Sequence, residues 1–392
     1  MNHSICAASM ALIAAAQALA PQIQDAAAAL ERERRLPLPL VNAMADAGLF
    51  RMLIPAPLGG SEVDVATMIR VIEAVSTVDG SAGWCVMAAS STAVISAYLE
   101  EDTARAIYGS DPRVVTGGVF APKGQALVVD GGYRVTGRWP FGSGCEHCAW
   151  LLGGSVVVDK GTPRLLPNGQ PDVRMMIFPA SDCTVIDTWS VAGLRGTGSH
   201  DIAVTDVFVP QGRAVSLVTD TPRQPGPLYA FPVFRLLALG IAGVALGMAR
   251  GAINTLVSLA SEKTPTGSRR LLGERAIVQM YIAQAEALLR AARAFLFETV
   301  DAVWASVTAA GQIALDQRAL LRLAATHAAT SAAQAIDLMY QCGGGTSIYT
   351  TRPLERYFRD IHAVTQHLMV AQPTYEVIGR IFLGLKTDSS ML

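Results

Sequence analysis

Two histidines, His362 and His367, stand five residues apart in "RDIHAVTQHLMV" (359–370), in a chain of 392 residues that has only six. Imidazole is the side chain whose proton moves most readily near neutral pH, so a histidine beside a redox group can take up or return one. It can equally be a packed core or interface residue. The stretch follows a glycine-rich turn, "QCGGGTSIY" (341–349). The other clustered chemistry is "CEHC" (145–148), which resembles half of a metal knuckle. A structural zinc site needs a second ligand pair, none stands at suitable spacing, and no metal is expected. The six cysteines, Cys6, Cys85, Cys145, Cys148, Cys183 and Cys342, are scattered and read as reduced thiols of a cytoplasmic protein.

What positions these groups follows from periodicity. Residues 1 to about 115 are alanine-rich and helical, with stops at "PAPLGG" (55–60) and "TVDGSAGW" (77–84). The N-terminal run "ICAASMALIAAAQALAP" has no Lys or Arg ahead of it and continues into "QIQDAAAALERERR", so it reads as helix rather than export signal. From 116 to 225, short β-branched runs divided by glycine and proline predict an all-β domain, and "VVDGGYRVTG" predicts a hairpin turning at Asp-Gly. Helical spacing returns over 226–392. Ile277, Tyr281, Ala285, Leu288, Ala292 and Phe295 mark one buried stripe, and a last helical stretch spans about 354–385 with a break at Pro373. "LLALGIAGVALGMA" (236–249) falls short of the ~20 residues that cross a bilayer and reads as a buried helix. The chain is 51% hydrophobic and 16% charged, with net charge −1, which argues for a large core and against nucleic acid or an anionic membrane as partner.

The order of helices, β domain and helical bundle resembles the acyl-CoA dehydrogenase fold, and motifs agree along most of the chain. "ERERRLPLPLVNAMADAGLFRMLIPAPLGG" (31–60) resembles its N-terminal helical domain, and "AGLRGTGSHDIAVTDVFVP" (192–210) the end of its β domain. "QCGGGTSIY" resembles the loop that meets the adenine-nucleotide half of a flavin. The fold implied is α+β: an N-terminal helical domain, a middle β-barrel and a C-terminal four-helix bundle. "GRWPFGSG" (137–144) stands where the dehydrogenases carry a Trp against the isoalloxazine and a Thr near N5, which places Phe141 and Ser143 at those positions. Read without the resemblance, the same residues make an ordinary hairpin with a packed aromatic and a turn serine.

One departure decides the chemistry. Aligning the family's Arg-Asp pair on Arg359-Asp360 sets His367-Leu368 where the dehydrogenases keep a Tyr and the Glu that removes the α-proton. Leu368 cannot be a base; Glu376 lies past Pro373, and Glu262 sits in a polar turn. The pattern is instead similar to the flavin-dependent monooxygenases of this fold, which form a C4a-(hydro)peroxyflavin from O2 and reduced flavin delivered by a separate NAD(P)H:flavin reductase. That resemblance implies a catalytic pair, His367 for the substrate's proton and Ser143 near N5. It implies a cofactor shell of Trp139, Phe141, Ser143, Gly144 and Arg269, completed by Gln341, Gly343, Gly344, Gly345 and Thr346 reaching a neighbouring chain's flavin. Trp84, Ser91 and His200 are expected against the substrate, with His362, His147 and His327 structural and His3 terminal. Arg269 suits a pyrophosphate, but Leu271 and Leu272 replace the Gln and Phe of FAD-binding relatives, so reduced FMN or FAD is expected. No Gly-x-Gly-x-x-Gly segment joins a strand to a helix, which leaves no nicotinamide site and calls for the external reductase. A homotetramer and a small, aromatic substrate complete the expectation. Anaerobic mixing of the flavin-loaded protein with an acyl-CoA should leave the flavin oxidised; rapid bleaching would return the chain to the dehydrogenases.

Overall fold

The computed structural model describes residues 7–388; His3 and Cys6 lie outside them. The N-terminal unit runs α1 (Ala7–Ala18), α2 (Ala20–Glu33), α3 (Leu38–Asp46), α4 (Val65–Ser76), α5 (Gly80–Ala93) and a short α6 (Glu101–Ala104). Pro21 falls in the first turn of α2, where its missing N–H costs nothing, and splits the alanine-rich run in two. Asp79 caps α5 by accepting a hydrogen bond from the Ala82 N–H (3.0 Å), so this helix starts four residues before Trp84. "DGSAGW" is therefore a helix start as well as a stop.

Eight strands follow: β1 (Thr116–Val129), β2 (Gly132–Gly142), β3 (Trp150–Asp159), β4 (Thr162–Pro163), β5 (Val173–Pro179), β6 (Thr184–Ile186), β7 (His200–Pro210) and β8 (Ala214–Val215). β1 and β2 pair with Val129 opposite Gly132, leaving Asp130-Gly131 as the two-residue turn the sequence predicts. The strand order is β6-β7-β2-β1-β3-β5-β8, with β1 and β3 parallel and β4 beside β3. No pairing among the described residues joins β6 to β8, so the expected barrel is one open mixed sheet. It curls enough for Trp139 of β2 to meet Phe178 of β5 (ring centroids 5.9 Å).

The C-terminal unit is α7 (Val233–Glu262), α8 (Ala276–Ala310), α9 (Leu315–Gly343), α10 (Pro353–Val364) and α11 (Thr374–Phe382). α7 spans 30 residues, long and apolar enough by length and composition to cross a membrane, although the apolar run alone looked too short. Its apolar window is 94% buried inside the chain, as a central core helix requires. Glycines let α4 lie directly on it: a Cβ at Gly247 would stand 2.3 Å from the Glu73 carbonyl oxygen. On α8 the buried stripe is Val278, Ala285, Leu289, Ala292, Leu296 and Val300, partly out of phase with the expected one. Ile277 and Met280 are exposed, because α8 carries two apolar faces and its own chain covers one. The last helix breaks well before Pro373: α10 ends at Val364, and residues 365–373 form turns before α11.

The α4–α7 approach makes a direct test. Gly247→Val should destabilise the fold by about 1–3 kcal/mol through overpacking, visible as a lower midpoint in thermal unfolding. Gly379→Ala, inside α11 where a Cβ meets nothing within 4 Å, should instead raise that midpoint slightly, because alanine favours helix over glycine by about 1 kcal/mol.

Candidate active site

A line of hydrogen bonds crosses the three units at one place. Trp84, on α5, donates its indole N–H to Ser143 Oγ (2.9 Å). Ser143 Oγ is 2.8 Å from Ser199 Oγ, and Ser199 Oγ is 2.7 Å from Thr197 Oγ1. Thr197 donates to the Leu194 carbonyl (2.8 Å). Leu194 adopts a left-handed φ of 54°, which a leucine rarely does, and its N–H is held by Asp360 Oδ1 of α10 at 2.6 Å. Arg359 binds the Ala192 carbonyl and Glu31 (2.8 Å), fastening the same loop from the next position. The Arg-Asp pair is thus a clamp on the β-domain loop.

Asp360 is fully buried, and burial first, then the charge of Asp79, raises its carboxyl to about 8. Arg356 offsets the pair from 3.3 Å beside Asp79. Ser143 itself follows Gly142, the end of β2, where Phe141 is held at φ 68° and is 67% exposed. Trp189 meets that ring edge-on (6.2 Å) and donates its indole N–H to the same Leu194 carbonyl (3.0 Å).

His367 lies in the turns after α10 and meets the edge of Trp84 with ring centroids 5.6 Å apart. Trp84 therefore joins the imidazole to the Ser143 hydroxyl. The ring was expected to titrate near neutrality. Burial first, then the nearby Arg322 guanidinium, lowers it to about 4, so it is neutral at physiological pH. Its Nδ1 accepts the Met369 N–H (3.2 Å), which assigns the single ring proton to Nε2. His362 stands apart, exposed on α10, bonded to Asp337 (3.0 Å) and packed on Phe358.

Several expected site residues lie elsewhere. Trp139 is 0% exposed and spends its N–H on the Gly154 carbonyl (2.7 Å); it fills the curl of the sheet and cannot touch a cofactor. Ser91 is buried within α5 and turns its hydroxyl back on the Met87 carbonyl (2.9 Å), which removes it from the substrate's side. His200 is 4% exposed, its Nδ1 accepting the N–H groups of Thr188 and Trp189 (3.2 Å each). It shapes the loop that presents Trp189. Gly144 turns at φ 69° with His147 against it, a turn requirement. Cys145 and Cys148 are buried, their thiols directed at the Gly198 (3.6 Å) and Gly144 (3.2 Å) carbonyls. Burial pushes both thiols up, Cys145 to about 12.

At the far end of the bundle, Arg269 is exposed in the α7–α8 loop. Lys263, which sequence reasoning passed over, donates to the Gly343 carbonyl (2.8 Å) and to Thr346 Oγ1 (2.6 Å), joining that loop to the glycine turn. Gln341, Gly344 and Gly345 are exposed, and a Cβ at either of these two glycines would meet nothing within 4 Å. Thr197, Ser199 and Trp189 were missed too. Two of them fall in "GTGS" (196–199), directly before His200, and their hydroxyls form the link to Ser143. The two carboxylates weighed as a dehydrogenase base, Glu262 and Glu376, are both exposed.

An uncovered aromatic beside a tied hydroxyl, with an open glycine turn and cations elsewhere, fits a flavin's isoalloxazine and phosphates. Comparison with known proteins agrees. Residues 8–106 match the family described as "Acyl-CoA dehydrogenase, N-terminal domain" and residues 239–372 its "C-terminal domain". The chain is 35% identical to the indole-3-acetate monooxygenase of Pseudomonas putida, over 90% of this chain and 89% of that one. It is 30% identical to the flavin-dependent monooxygenase oxygenase subunit HsaA of Mycobacterium tuberculosis, over 97% of each. The solved structure of XiaF from Streptomyces sp., in complex with FADH2 and glycerol, superposes with TM-score 0.89 at 27% identity, covering 98% of both chains. With its dehydrogenase fold, its imidazole against Trp84 and no carboxylate in the dehydrogenase position, the chain belongs to the flavin-dependent monooxygenases of the acyl-CoA dehydrogenase fold, as an oxygenase component that uses reduced flavin.

Proposed function

We propose that this oxygenase hydroxylates a small aromatic molecule between Trp84 and the flavin, with His367 and Ser143 as its catalytic pair. The observation that carries this reading is the pair of contacts by which Trp84 touches the His367 ring and bonds the Ser143 hydroxyl. The aromatic substrate is supported by the apolar rings around the site and by the indole-3-acetate of the P. putida relative's name. Reduced flavin, when bound, supplies the electrons that activate dioxygen.

The residues of the chain then divide the work. Phe141 and Trp189 give an apolar wall that keeps water off the redox group. Ser143 is held in one orientation by Trp84 and Ser199 and meets the N5 region. His367 handles the proton that an attacking phenol or amine releases. Its neutral ring is competent across the physiological range, and uptake at Nε2 requires the other tautomer, which gives up the Met369 bond. Arg269 is assigned to flavin phosphate, and Gln341, Gly343, Gly344, Gly345 and Thr346 to the flavin of a neighbouring subunit. A homotetramer is supported by exposed Ile277 and Met280 on α8 and by exposed Ile348 and Tyr349 after the glycine turn. FMN and FAD both suit this arrangement, supplied by a separate NAD(P)H:flavin reductase in the cytoplasm.

His367→Ala should leave reduced-flavin binding intact and slow oxygen transfer by roughly 10²-fold in single-turnover assays; unchanged product formation removes the assignment. Because the neutral ring is the competent form and stays neutral down to about 4, the oxygen-transfer rate should not fall between about pH 8 and 5.5. An acid limb centred near 6.5 that disappears in His367→Ala would contradict the site geometry. Trp84→Phe keeps a ring against His367 and removes one hydrogen bond to Ser143. Hydrogen peroxide released per product should rise roughly 3- to 10-fold.

A further inference from the structure

The ends of the hydroxyl line fix the direction of every hydrogen bond along it. A carbonyl oxygen can only accept, so Thr197, 2.8 Å from the Leu194 oxygen, has its one hydroxyl hydrogen committed there. The short Thr197–Ser199 contact must then use the Ser199 hydrogen, with Thr197 accepting. Ser199 in turn has none left for Ser143, so in that contact Ser143 donates. At the other end the Trp84 indole, which can only donate, occupies one lone pair of Ser143. What remains on Ser143 is a single lone pair and no hydrogen. Thr197 and Ser199 are 1% and 3% exposed, so water has no access with which to reverse the order.

We propose that this fixed polarity makes Ser143 an acceptor-only contact that selects reduced over oxidised flavin, with Thr197 and Ser199 as the positioning residues that impose it. Reduced flavin carries a hydrogen on N5 and can donate to that lone pair. Oxidised flavin presents its own lone pair at N5, and the two repel. The selection rests on the reading that Ser143 meets the N5 region, and deepens it by naming what sets the sign of the contact. An oxygenase fed by a separate reductase gains from it, because spent flavin is discriminated against at the atom that distinguishes the two redox states.

The test is a set of dissociation constants for oxidised and for anaerobically reduced FMN and FAD, measured on the full chain and four variants. Ser199→Ala frees the Ser143 hydrogen to donate, so affinity for oxidised flavin should rise roughly 3- to 10-fold with little change for reduced flavin. The midpoint potential of the bound flavin should fall accordingly. Thr197→Val should act in the same direction, and Thr197→Ser, which keeps the hydroxyl, should restore the parent ratio. Ser143→Ala removes the acceptor and should weaken reduced flavin instead. If Ser143→Ala changes neither affinity, the placement of Ser143 at N5 is wrong. If it weakens reduced flavin while Ser199→Ala and Thr197→Val, with native circular dichroism, leave the oxidised constant and the potential unmoved, the polarity argument alone is overturned.

Discussion

The bond on which the rest of the site depends is the one between the buried Asp360 carboxyl group and the Leu194 N–H. A leucine at φ 54° is strained, and such a conformation persists only where its surroundings over-determine it. Here they do: Asp360 grips the nitrogen, while the oxygen collects Trp189 and Thr197. With that residue fixed at both its N–H and its carbonyl, Thr197 and Ser199 can point only one way, and the orientation passes to Ser143 and Trp84. A helix of the bundle thereby sets the chemistry of a hydroxyl on the sheet.

Such a grip is costly by itself. A carboxyl with no water around it resists ionisation, and Asp79 nearby makes it worse, which is why Asp360 is pushed to about 8. The surroundings offset part of this with Arg356 beside Asp79 and with the Leu194 N–H, whose hydrogen bond lowers the carboxyl again. The close meeting of α4, α5, α7 and α10 that makes the burial possible depends on small residues. At Gly80 an added Cβ would stand 3.3 Å from Asp360 Oδ2 and closer still to Met248. Packing, buried charge and loop strain form one connected device.

The same device explains how one fold hosts two chemistries. The β-domain loop, the glycine turn and the Arg-Asp pair follow one another in the order of the acyl-CoA dehydrogenase family, whose N- and C-terminal domains the chain matches. Eight residues past Asp360, Leu368 is exposed and stands where a proton-abstracting glutamate would be needed. The imidazole one residue earlier has taken the place against Trp84, kept neutral by burial and by Arg322. Oxygen transfer asks for groups that orient and shield rather than for a strong base, and the site is built from such groups.

Much of this was legible in the residues alone. The succession of helix, sheet and bundle follows from hydrophobic period and turn chemistry, the Asp130-Gly131 hairpin from its dipeptide, and the family from motifs in fixed order. Local pattern also singled out Phe141 and Ser143, which share one turn at the end of β2, but their partners Trp189, Trp84 and Ser199 come from other segments of the chain. It failed where burial decides. Trp139 and Trp84 look alike in sequence, yet one is sealed in the curl of the sheet and the other spans Ser143 and His367. Nothing local distinguishes a tryptophan whose N–H meets a carbonyl of its own sheet from one whose N–H meets a hydroxyl from another domain. Ser199, Thr197 and Asp360 became part of the site only when chain segments 56 to 166 residues apart closed on one another. Hydrogen-bond direction and the pKa of an imidazole are properties of that closed environment, and only the tertiary structure could set them.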